Sequence, residues 1–136
     1  MRSSRLALSV SALVLAAASL SGCAIADEFV SHEKEQVFAS YGDAPQEGDT
    51  EFAPPAFVPE DSTDLKIRVI TNGVGGLLRY TSTQPVVGDS CEPGALQGDP
   101  TMQTTWWPTE LPGEGWTCDD GWQLFQQNGH TYGWSA

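Results

Sequence analysis

Positive charge is scarce in this 136-residue chain: six Lys and Arg stand against 18 Asp and Glu, giving a formal net charge of −12. A chain this acidic lacks the basic patch that phosphate contacts require, which excludes nucleic acid as a partner. Long apolar runs are also missing. The longest extends from Leu6 to Leu20, short of the ~20 residues a spanning helix needs, and everything after it is acidic and polar. Aliphatic side chains thin out in the second half: after Gly88 the large aliphatics are only Leu96, Met102, Leu111 and Leu124. Cysteine is limited to Cys23, Cys91 and Cys118, with no C-x-x-C pair that would suggest zinc.

What is present begins with a secretory signal. "MRSSR" supplies two positive charges and no acid, and "LALSVSALVLAAASL" follows as an apolar core. Ala and Ser lie all round this run instead of leaving one apolar stripe, so it does not read as a core helix. Leu20-Ser21-Gly22-Cys23 then resembles the lipobox of bacterial lipoproteins, in which a Leu-small-Gly-Cys sequence is cleaved before the Cys. The resemblance covers residues 1–23 only. It implies a diacylglyceryl thioether on Cys23 and removal of residues 1–22. Each buried methylene is worth ~0.8 kcal/mol, and two acyl chains anchor stably where one does not. The expected location is therefore the extracytoplasmic face of a cell membrane, with the membrane lipid as the first partner.

Cleavage would remove Arg2 and Arg5 and no acid, leaving four cations against 18 acids and a net charge of −14. Anionic headgroups would repel such a chain, so lipid and not charge must hold it down. Residues 23–64 read as the lipidated Cys followed by a disordered acidic tether. The stretch 24–64 carries 11 of the acids against Lys34 alone, with Pro45, Pro54, Pro55 and Pro59. Such a composition buries too little apolar surface to offset ordering entropy, and a flexible chain of that length spans ~35 Å. Within it, "DEFVSHEKEQVFASYGD" is compatible with a short helix capped by Asp27, with Phe29, Val37 and Tyr41 near one side. His32 reads as solvated.

With Cys23 carrying lipid, Cys91 and Cys118 are left as one pair in an oxidising compartment, so a disulfide is expected. Residues 65–136 should form the folded part, a small all-β domain of about five strands arranged as an antiparallel meander or open barrel. "LKIRVIT" alternates Leu65, Ile67 and Val69 with Lys66 and Arg68, the period of a half-buried strand. Asn72-Gly73 signals a hairpin into "LLRYTST", with Gly75 and Gly76 suggesting a longer loop. Residues 84–100 read as loop around Cys91, "TMQTTWW" as a third strand ended by Pro108, and "PTELPGEG" as loop. Asn128-Gly129 suits a type I′ turn that pairs Gln127 with His130, Phe125 with Tyr132 and Gln123 with Trp134, with Gly133 opposite Leu124.

Seven aromatics follow Gly88: Trp106, Trp107, Trp116, Trp122, Phe125, Tyr132 and Trp134. Most must be core, because so small a domain has little else to bury. On a strand, Trp106 and Trp107 would point to opposite faces, so one of them is the candidate ligand-binding ring, for a glycan or an envelope protein. No spacing suggests a Ser-His-Asp arrangement, a metal site or a cofactor. His130 sits beside a turn. The loop carboxylates Asp89, Glu92, Asp99, Asp119 and Asp120 leave a small hydrolase or a calcium-dependent binding domain as the alternative. The favoured expectation is a non-catalytic binding or accessory module displayed on the cell envelope.

Overall fold

The computed structural model describes residues 32–46, 51–86 and 89–136. The signal, the lipobox with Cys23, and Asp27 and Phe29 lie outside the described residues. Seven strands run β1 (Glu33–Ser40), β2 (Thr63–Ile70), β3 (Gly76–Thr81), β4 (Cys91–Ala95), β5 (Glu114–Cys118), β6 (Gln123–Gln127) and β7 (His130–Ser135). They form one open antiparallel sheet in the order β1-β2-β3-β7-β6-β5-β4. Two meanders, β1-β2-β3 and β4-β5-β6-β7, are joined where β3 pairs with β7. The last strand in sequence is thus the middle strand of the sheet. That placement explains the aromatic C-terminus: Tyr132 and Trp134 lie on a strand flanked on both sides, and both are buried.

Local sequence accounts for the best-formed elements. The alternation of Leu65 and Ile67 puts both on one face, buried against Leu78 and Tyr80 of β3. At the β6–β7 hairpin, Asn128 (φ 52°) and Gly129 (φ 79°) supply the two positive φ angles of a type I′ turn. The register there is Gln127↔His130, Phe125↔Tyr132 and Gln123↔Trp134, with Gly133 opposite Leu124. A Cβ on Gly133 would sit 3.4 Å from the Trp122 ring, which packs over the space that glycine leaves.

The sheet has seven strands where about five are expected from sequence, and the differences have physical causes. Residues 33–40 form β1, an edge strand, and not a helix. Cross-strand pairs set its conformation: Glu35 lies opposite Arg68 and Phe38 opposite Leu65. The Arg68 guanidinium binds Glu33 at 2.6 Å and Glu35 at 3.3 Å. Residues 91–95 are β4 instead of loop, since Pro93 is tolerated on the outermost strand of a sheet. "EGWTC" is β5, where Gly115 is required because a Cβ would collide with the Leu124 carbonyl oxygen of β6. The segment read as a third strand, residues 101–107, is not a strand. It is part of a loop that crosses the sheet.

Among the described residues both faces of the sheet are covered by loops and turns, with no α-helix. On one, Ala44 and Val58 are buried with Leu65, Ile67, Leu78 and Tyr80, and Phe38, Tyr41, Phe52 and Phe57 pack against them. The proline-rich stretch 51–62, expected to be tether, therefore belongs to the core, although it has no regular structure. Its turns close through Val58 N–H to Pro55 O and Ser62 N–H to Pro59 O, for which proline presets the backbone. On the other face Leu77, Phe125, Tyr132 and Trp134 lie beneath the loop between β4 and β5, which contributes Met102, Trp107 and Leu111. Cys91 and Cys118 are directly opposed on β4 and β5 and form a disulfide that fastens the edge strand.

Candidate functional site

The crossing loop builds a cleft. Its feet are tied by Leu96 N–H to Gly113 O at 3.1 Å and by Gln97 N–H to the side-chain oxygen of buried Gln123 at 3.0 Å. Between the feet, Met102 is 2% exposed and acts as one peg into the core. Trp107 is the other. Its ring stands perpendicular to Phe125, Tyr132 and Trp134, with centroids 5.7, 5.6 and 6.2 Å away, the edge-to-face geometry that aromatic pairs prefer. Pegged at these points, the loop forms within itself a cleft of about 450 Å³, a size that suits a small ligand or a few side chains. Pro100, Trp107, Pro108 and Leu111 give it apolar walls, while Gln103, Thr104, Thr109 and Asp99 supply polar groups. The Thr104 hydroxyl is buried and has no hydrogen-bond partner.

The structure places Trp106 and Trp107 on the same side of the sheet, in edge-to-face contact at 6.0 Å. They do not alternate, because the segment that carries them is not a strand. Trp106 is committed to the chain itself. Its indole N–H donates to Glu35 at 2.9 Å, and the Arg79 guanidinium lies 6.0 Å from its ring centroid. Arg79 in turn binds Asp64. Trp106 thereby clips the crossing loop to β1 and β3, and Trp107 both pegs the loop and walls the cleft.

Charge is divided across the sheet. Lys34, Lys66, Arg68 and Arg79 lie on β1, β2 and β3, and from Tyr80 to Ala136 there is no Lys or Arg. That half holds Asp89, Glu92, Asp99, Glu110, Glu114, Asp119 and Asp120, all exposed. None of the seven takes part in an ion pair among the described residues. Two of them, Asp119 and Asp120, sit on a short turn at the far end of β5 from the cleft. Among the described residues no group of three or more metal-ligating side chains comes together.

A second polar groove, about 340 Å³, lies beside the β6–β7 turn and is lined in part by Ser82 and His130. Ser82 and His130 are both bonded to neighbouring side chains. The Ser82 hydroxyl donates to Asp61, and His130 Nδ1 lies 2.8 Å from the Thr81 hydroxyl. Hydrogen bonds from Ser82 and then Thr83 hold the Asp61 carboxyl below the usual carboxylate range.

Sequence reasoning singled out Trp106 and Trp107 but missed the prolines, Leu111 and Gln103, which enter the cleft only because residues 96–113 fold back over the sheet. Pro100 and Pro108 bracketing a Thr- and Trp-rich stretch were the available signal. No protein-family model, curated protein or solved structure matches this chain.

Proposed function

We propose that the protein is a lipid-anchored component of the bacterial cell envelope that displays a non-catalytic binding module, with the cleft beside Trp107 as its contact site. The anchoring half of this reading is carried by one observation, the sequence Leu20-Ser21-Gly22-Cys23 directly behind an apolar signal core. No helix among the described residues is long and apolar enough to cross a membrane, so a lipid on Cys23 is the attachment this reading supplies. The partner would then be met at the membrane surface, through a domain whose own charge keeps it off anionic headgroups.

Binding is favoured over catalysis by the character of the cleft. It combines aromatic and proline walls with Gln, Thr and one carboxylate, groups that orient a ligand. Its single carboxylate has no titratable partner among the lining residues, whereas acid–base chemistry on a glycoside or ester needs a pair of matched groups. Cell fractionation tests the anchoring. The wild-type chain should partition with membranes, and Cys23→Ser should appear in the soluble fraction or keep its signal. Cys23→Ser that has lost its signal and still partitions with membranes as the wild type does would contradict the proposal.

A further inference from the structure

We infer that the cleft receives a basic peptide segment of a partner protein, with a Lys or Arg side chain against the Trp107 indole and the Asp99 carboxylate as its counter-charge. This rests on the binding-module reading above and specifies what is bound. Charge favours a cation. Asp99 is the only charged group lining the cleft, and Glu110 lies between two lining residues, Thr109 and Leu111. The whole sheet half around them is acidic and free of Lys and Arg. The cations beside the loop, Arg68 and Arg79, are held by Glu33, Glu35 and Asp64, so the net field at the cleft is negative and favours a cation over an anion.

The chemistry of the walls favours the same ligand. An indole face attracts ammonium and guanidinium groups, and proline-flanked aromatic grooves suit an extended peptide. The chain already makes this arrangement once within itself, one residue away: Arg79 lies over Trp106 with Asp64 as its carboxylate. Trp107 and Asp99 both line the cleft, and among the described residues no Lys or Arg lines it. The volume limits what can enter. About 450 Å³ holds one or two long side chains and not a folded element.

The test is an NMR titration of the whole chain from residue 23, carrying Cys23→Ser to keep it free of lipid. The probes are acetylated hexalysine amide, acetylated hexaserine amide and a neutral hexasaccharide of N-acetylglucosamine. Hexalysine should shift the Trp107 indole and the Thr104 and Leu111 amides, and its affinity should fall steeply as salt is raised. Asp99→Asn, at an exposed position, should weaken it about twofold to fivefold, the effect of one exposed charge pair. Asp119→Asn and Asp120→Asn, at the other end of β5, should change it much less. Hexalysine shifts that ignore Asp99→Asn would overturn the inference, as would concentration-dependent cleft shifts without any probe, which would assign the cleft to a second copy. Cleft binding of the hexasaccharide or hexaserine, but not hexalysine, would overturn the basic-peptide inference and leave the binding-module reading standing. Cleft signals unmoved by every probe would overturn the site itself.

Discussion

Replacing Trp107 by Ala separates the two duties assigned to that ring. The side chain is half-buried and meets three sheet aromatics edge-to-face at 5.6–6.2 Å. Each such pair is worth ~0.5–1.5 kcal/mol beyond the area it buries. An emptied aromatic site in a core costs ~3–5 kcal/mol. Partial exposure places Trp107 at the lower end, so Trp107→Ala should destabilise by about 3 kcal/mol. Domains of this size have only ~5–15 kcal/mol in total, and the melting temperature should fall by about 10–20 °C. Urea denaturation followed by far-ultraviolet circular dichroism measures this without depending on the indole being removed. Trp106→Ala gives the contrast: it removes one hydrogen bond, one cation–π contact and one edge-to-face contact instead of several, and should cost roughly 2 kcal/mol. A loss below about 1 kcal/mol for Trp107→Ala, or the reverse order of the two variants, would refute the pegged-loop account.

Four other perturbations follow from particular contacts. Gly115→Ala should separate β5 from β6, because its Cβ would meet the Leu124 carbonyl and lie 2.8 Å from Leu96; hydrogen exchange should show loss of protection confined first to β4 and β5. Reduction of the disulfide, or its replacement with Ala at Cys91 and Cys118, should remove about 3.5 kcal/mol on the chain-entropy model, read by thermal melting with and without reductant. Tyr80 is buried in the core, and burial pushes its hydroxyl up to about 12. An unfolded Tyr ionises near ~10, so the folded state retains the proton longer and stability should decline between about pH 10 and 12, by roughly 2–3 kcal/mol. Tyr80→Phe should abolish that slope in denaturation curves taken across the range. Thr104→Val removes a buried hydroxyl that has no partner and keeps the side-chain shape, so the melting temperature should hold or rise.

How much the sequence disclosed depends on whether the deciding contacts were local. The β6–β7 hairpin was readable residue by residue, since Asn128-Gly129 allows one turn type and fixes the register on both sides. β2 and β3 were readable from their apolar runs and the intervening Asn72-Gly73. β1 was not, because its charged outer face is stabilised by Arg68, 33 and 35 residues away in sequence. β4 was hidden by Pro93 and Gly94, which argue against a central strand but not against an edge strand. The stretch 51–62 reads as tether by composition, yet Phe52, Phe57 and Val58 suffice to bring it onto the sheet. Trp106 and Trp107 were identified as a pair of interest from their type alone. Their division into a clip and a wall depends on the fold of residues 96–113, which no periodicity announces.

The account as a whole depends on where the chain is cut and what its first mature residue carries. Intact mass spectrometry of the protein extracted from the membrane fraction, with sequencing of its N-terminal peptide, reads both at once. The mature chain should begin at Cys23, with a diacylglyceryl group on the sulfur. A mature protein whose Cys23 is unmodified would contradict the anchored module, and so would one that still begins at Met1.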